Sequence, residues 1–134
     1  IGLKVYLVGE VCTPSIREGD LLLVGSGSGE TAGMIAICKK AKAAGAEVAV
    51  FTKNRNSTIA SIAKVAVQLN TAKPIQEGAA GPDGWIEGNY FSIRPSGNPF
   101  EQSIVIVGDA MVCELMQKTN CGTAKIAYNH ANLE

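Results

Sequence analysis

With 134 residues, 46% of them hydrophobic and 18% charged, the chain has the length and apolar content for one compact core, which excludes an intrinsically disordered segment. A formal net charge of zero leaves no electrostatic footprint for nucleic acid or an anionic membrane surface. The longest uncharged apolar stretches are too short to span a bilayer.

In chain order, residues 3–8 (LKVYLV), 20–25 (DLLLVG), 47–52 (EVAVFT) and 65–69 (VAVQL) read as short strands rich in Val and Leu. They are mostly apolar on both faces, the pattern of a parallel sheet covered on both sides. Between the second and third, Met34, Ile35, Ile37, Cys38 and Ala41 recur at helical spacing. Lysines crowd the last turn of that helix and Gly45 ends it. Ser57 caps a shorter helix running to about Lys64. Strand and helix alternate, which predicts an α/β fold.

Residues 70–99 hold four of the five prolines and show no sustained period, so they read as a long loop. Trp85, Tyr90 and Phe91 are expected to pin it to the core. A long helix follows over about Pro99–Lys118, with Phe100, Ile104, Val107, Met111 and Leu115 on one stripe and Pro99 in its first turn. The closing residues make one more short helix. No repeat and no second domain stand out, so residues 1–134 read as a single domain.

Four cysteines, Cys12, Cys38, Cys113 and Cys121, form no Cys-x-x-Cys pair, and His130 is the only histidine. Zinc-ligand spacing is missing, so no metal site is expected. The cysteines read as free thiols of a reducing compartment. Cys38 and Cys113 fall in apolar helical patterns where Cys packs as a small hydrophobe.

The chemistry concentrates in residues 24–31, VGSGSGET. The preceding strand ends at the sheet edge where open α/β folds bind ligands. Glycines allow a tight turn and close backbone approach. The next helix aims its unpaired N–H groups and positive dipole end at the same spot. Ser26, Ser28 and Thr31 add hydroxyl donors, and Gly27 and Gly29 leave room for a monophosphate. A Walker A loop would need a lysine after the last glycine, which is absent. Gly27-x-Gly29-x-x-Ala32 meets the loose dinucleotide pattern, but the next strand ends in Thr52-Lys53 rather than a ribose-binding acid.

Ser26 to Thr31 resembles the phosphosugar-binding loop of sugar isomerase (SIS) domains. With VYLVGEVCTPSIREGDLLLVGSGSGET, STIASIA, FEQS and HANLE, the chain resembles 6-phospho-3-hexuloisomerases from Ile1 to Glu134 apart from the long loop. The resemblance implies a three-layer αβα sandwich with a parallel, flavodoxin-like sheet. It implies interconversion of 3-hexulose 6-phosphate and fructose 6-phosphate through an enediol, with no metal or redox cofactor. It further implies a cytoplasmic homo-oligomer, usually a tetramer, acting beside the synthase that condenses formaldehyde with ribulose 5-phosphate.

The catalytic base is expected to be Glu101, in the first turn of the long helix. His130 carries the side chain best suited to shuttling protons near neutral pH. Glu30 is a rival base, ranked lower because a carboxylate beside a phosphate repels it unless turned away. Thr52, Ser57 and Asn98 are further candidate substrate contacts.

Two features depart from the family. The long loop ends in PSGNP, where the family commonly has Pro-Met-Gly-Ser-Leu, which bears on substrate preference. The chain also opens where the family's second helix ends. The implied sheet then lacks a strand between residues 3–8 and 20–25, and the expectation is an N-terminal segment preceding Ile1. Alternative functions are a non-catalytic phosphosugar sensor and an arabinose 5-phosphate isomerase. FEQ and HANLE favour an enzyme, since a sensor needs only the phosphate loop.

Overall fold

A computed structural model describes residues 1–71 and 99–130. In chain order the elements are β1 (Leu21–Gly25), α1 (Ala32–Ala43), β2 (Glu47–Thr52), α2 (Thr58–Ile62), β3 (Val65–Gln68), α3 (Pro99–Lys118) and α4 (Thr123–Tyr128). They fall into two units, one within Ser15–Ile104 and one made of Ile1–Pro14 with Val105–Glu134. Most of the predicted loop, including Trp85, Tyr90, Phe91 and Asn98, lies outside the described residues.

In the first unit the strands form a parallel sheet of order β1-β2-β3. Leu23 aligns with Ala49, and Ala49 with Val65. Because side chains alternate along a strand, Leu22, Val24, Val48 and Val50 share one face. There they form the core with Cys38 and Ala41 of α1 and Ile59 and Ala60 of α2. The other face carries Leu21, Leu23, Gly25, Ala49 and Phe51. A Cβ built on Gly25 would stand 2.9 Å from Ile104 Cδ1, so the opening turns of α3 pack on this second face. Helices on both sides of a parallel sheet make the fold a three-layer α/β sandwich, as the sequence implies. Further along the second face, Leu21 and Leu23 remain 61% and 51% exposed among the described residues, so that face is only partly covered.

Local chemistry sets the boundaries. After α1, Gly45 takes a φ of +86°, and its N–H and that of Ala46 donate back to Lys42 and Ala41 O at 3.1 and 3.0 Å. This is a Schellman stop, which needs a residue tolerant of the left-handed region. Asn120 plays the same part after α3, with Cys121 N donating to Met116 O at 2.9 Å. Ser57 caps α2 as expected, its Oγ accepting from Ala60 N at 3.3 Å. The helix ends at Ile62 rather than Lys64, because Lys64 N already donates to Val48 O at 2.8 Å on its way into the sheet.

Two expectations fail. Residues 3–8 form no strand, and Leu3, Val5, Leu7 and Val8 are exposed. A strand has no hydrogen bonds of its own and exists only beside a partner. No ladder partner is present for this segment among the described residues. A local turn takes the Leu7 carbonyl instead, with Glu10 N and Thr13 Oγ1 both donating to it. In α3, Phe100 is buried and Ile104, Val107 and Leu115 are half-buried, but Met111 and Cys113 are exposed. Cys113 lies two residues from both Met111 and Leu115, about 200° round the helix from each, so it is off the predicted stripe. Cys38, in contrast, is fully buried as expected.

Candidate functional site

The segment Ser26–Thr31 leaves the C-terminal end of β1 and enters α1. Its curl is built from within. Ser26 N donates to Phe51 O at 3.0 Å, prolonging the contact with β2. The buried Ser26 Oγ accepts from Gly29 N at 3.1 Å, and Ser28 Oγ accepts from Glu30 N at 3.1 Å. The chain following β2 supports the turn from the side. Lys53 N donates to Gly27 O at 3.0 Å, Thr52 Oγ1 donates to the same oxygen at 3.3 Å, and Ile59 N donates to Gly29 O at 3.0 Å. Thr52 and Ser57 have 0% and 1% exposure. Their hydroxyls shape the loop and cap α2 from beneath, a position the sequence could not distinguish from one facing the substrate.

The solvent side of the turn is different. Thr31 is the N-cap of α1 yet makes no side-chain capping bond, and the first turn holds no acid. The first-turn N–H groups of a helix have no intrahelical acceptor, and with the dipole they make an anion site. Thr31 is exposed and Ser28 half-buried at this end. The arrangement can hold a tetrahedral oxyanion with backbone N–H groups and two hydroxyls.

Glu30, the carboxylate nearest in sequence to that turn, is directed elsewhere. Its Oε1 accepts from Thr58 N at 2.7 Å. Side-chain and backbone hydrogen bonds from Thr58 lower its pKa below the ordinary 4.5. A depressed carboxylate pKa stabilises the fold fully above the ordinary value and loses that contribution as pH falls through the folded value. Glu30→Gln is therefore expected to lower the melting temperature slightly at pH 7 and to flatten its fall with pH below about 4.5, so that the two proteins converge in acid. Parallel acid limbs for the two proteins would show that the Thr58 contact carries no charge-linked stability.

On the other flank, Glu101 is exposed in the first turn of α3. A Cβ built on Gly27 would lie 3.3 Å from Lys53 Cε and 3.4 Å from Phe100 Cδ1, so a lysine stem and an aromatic ring both close on this glycine. Burial lowers the Lys53 pKa, and the Glu101 carboxylate acts against that shift. The structure thus brings Ser26, Gly27, Ser28, Gly29, Thr31, Lys53 and Glu101 into one region of the first unit. His130 follows α4 in the second unit and is exposed. Sequence reasoning used Lys53 only to reject a dinucleotide site. Its position at the end of the strand beside β1 was the available signal.

A parallel sheet with helices on both faces, whose first strand runs through a Gly/Ser turn at its C-terminal end into a helix with no side-chain cap, defines a three-layer α/β domain of the kind that places its ligand loops at that end. The SIS domain profile matches residues 7–82, more than half of the chain. The 3-hexulose-6-phosphate isomerase of Bacillus subtilis is 35% identical over 134 residues, covering 100% of this chain and 68% of that protein. The same-named protein of Mycobacterium gastri is 36% identical, covering 99% and 62%. A Methanococcus jannaschii protein, whose crystal structure was taken to infer a 3-hexulose-6-phosphate isomerase function, superposes with a TM-score of 0.76 at 28% identity. That match covers 99% of this chain and 65% of the other. The chain belongs to the SIS domain family, in its 6-phospho-3-hexuloisomerase branch. It spans about two thirds of the length of these curated relatives.

Proposed function

We propose that the chain carries the phosphosugar site of an isomerase interconverting 3-hexulose 6-phosphate and fructose 6-phosphate. The observation that carries this reading is the start of α1 at Thr31, which has no side-chain cap and is flanked by Ser28, with the carboxylate of Glu101 on α3 within electrostatic reach of Lys53 at the same turn. The relatives' names supply the sugar.

In the proposed reaction the loop binds the phosphate and fixes the far end of the sugar. Glu101 removes the proton from the carbon next to the carbonyl. The enediol that forms takes the proton back on the neighbouring carbon. His130 is proposed to move protons between the two oxygens, a role supported by the match to HANLE. The step is an internal hydrogen transfer, so the sugar is neither oxidised nor reduced overall. Family resemblance also supports a cytoplasmic homotetramer that fixes formaldehyde together with its synthase. Among the described residues no helix is long and apolar enough to cross a membrane.

Calorimetric titration tests the binding half of this reading. Ser28→Ala and Thr31→Ala are each expected to weaken fructose 6-phosphate binding by about 1–3 kcal/mol, the loss of a hydrogen bond to a charged group. Ser26→Ala should weaken it through the curl of the turn, since Ser26 Oγ holds Gly29 N. Unchanged affinity in all three would remove the loop from the site. A coupled assay offering fructose 6-phosphate and arabinose 5-phosphate separately decides the sugar.

A further inference from the structure

We infer that Lys53 is a substrate-binding residue of this site, its ammonium neutralising the phosphate group held by the turn between β1 and α1. The inference rests on the phosphosugar reading and adds to it the source of positive charge.

The main chain of Lys53 is clamped on two sides. Its N–H donates to Gly27 O at 3.0 Å, and its carbonyl accepts from Gln68 Nε2 at 3.1 Å. The residue before it, Thr52, is fully buried and bonded to the same Gly27 oxygen. The side chain then runs over the turn, with Cε 3.3 Å from the place a Gly27 Cβ would occupy. Phe100 stands 3.4 Å from that place. Any side chain at position 27 would push the lysine stem or the ring aside. The glycine therefore serves the lysine as well as the turn.

Chemistry gives this placement a purpose. A sugar phosphate carries close to two negative charges at neutral pH. The hydroxyls and backbone N–H groups of the turn are neutral, and a helix N-terminus supplies only about half a positive charge. Of the two carboxylates flanking the turn, Glu30 is turned to Thr58, whereas Glu101 stays within electrostatic reach of Lys53. A dianion entering next to Glu101 would be repelled unless a cation offset it. Lysine, a compact point charge on a flexible stem, meets that need. Its effect should be confined to phosphorylated ligands.

The test is calorimetric titration of inorganic phosphate and fructose 6-phosphate into the full chain and its Lys53→Met, Lys53→Gln and Lys53→Arg variants. Thermal melts confirm folding, and Lys53→Gln stands in should the Met variant not fold. Both neutral variants are expected to lose about tenfold or more in affinity for both ligands, with a shallower salt dependence. Lys53→Arg should stay within about threefold of the parent. Parental affinity in both neutral variants, with Ser28→Ala weakened, would overturn the Lys53 assignment and leave the turn in place. A parent that binds neither ligand would overturn both.

Discussion

Gly29→Ala is expected to lower stability by about 2–5 kcal/mol, a large share of the roughly 5–15 kcal/mol that holds a domain together. Gly29 has a φ of +68°, where an L side chain costs about 1–2 kcal/mol. A Cβ there would also fall inside the van der Waals shell of Ser57 Oγ and Cβ. Ser57 cannot yield, because it is 1% exposed and caps α2 through Ala60 N. Forcing atoms into a packed site typically costs a further 1–3 kcal/mol or so. Denaturant titration of both proteins measures the sum. Pairing Gly29→Ala with Ser57→Gly should recover the steric share, less about a few tenths of a kcal/mol for the lost α2 cap, and leave the backbone share. A Gly29→Ala variant as stable as the parent would mean that the turn is not held as described.

Glu101→Gln is expected to lower turnover by about 10²–10⁴-fold while leaving fructose 6-phosphate affinity within a few-fold. An amide keeps the shape of the carboxylate but cannot accept the substrate proton. The fold should hold, since Glu101 is exposed and an acid in a first helical turn contributes only about 0.3–1 kcal/mol. Near-normal turnover in the Gln variant would make Glu101 a residue that complements the α3 dipole, and Glu30 or His130 would return as the base. A variant with lost turnover and lost stability together would point to a structural role instead.

What was legible in the chain was local. The extents of β2 and α3, the cap at Ser57, the stop at Gly45 and the Gly/Ser turn all follow from residues within a few positions of one another. What was not legible depends on partners distant in sequence. Residues 3–8 have the side chains of a buried strand, but whether they form one depends on a neighbour. Glu30 looked able to crowd a phosphate until Thr58, 28 residues on, took its carboxylate. Thr52 and Ser57 read as candidate substrate contacts, and the pattern could not show that both are buried and bonded to Gly27 O and Ala60 N instead. Lys53 went unassigned because its approach to Gly27 links two separate strand ends, and nothing in the local sequence marks it. The signal lay in topology: in a parallel sheet, the residues after adjacent strands meet at one edge.

The enediol transfer is tested most directly by proton NMR of fructose 6-phosphate in D2O with the protein added. Removal of the proton by Glu101 and its return from solvent should erase the signal of the hydrogen on C3 and place deuterium there, while C1 keeps both of its hydrogens. The Glu101→Gln protein should leave the C3 signal intact. Deuterium entering only at C1 would mean isomerisation across a different pair of carbons. No exchange at any carbon, with no 3-hexulose formed, would contradict the assignment of this site to isomerase chemistry.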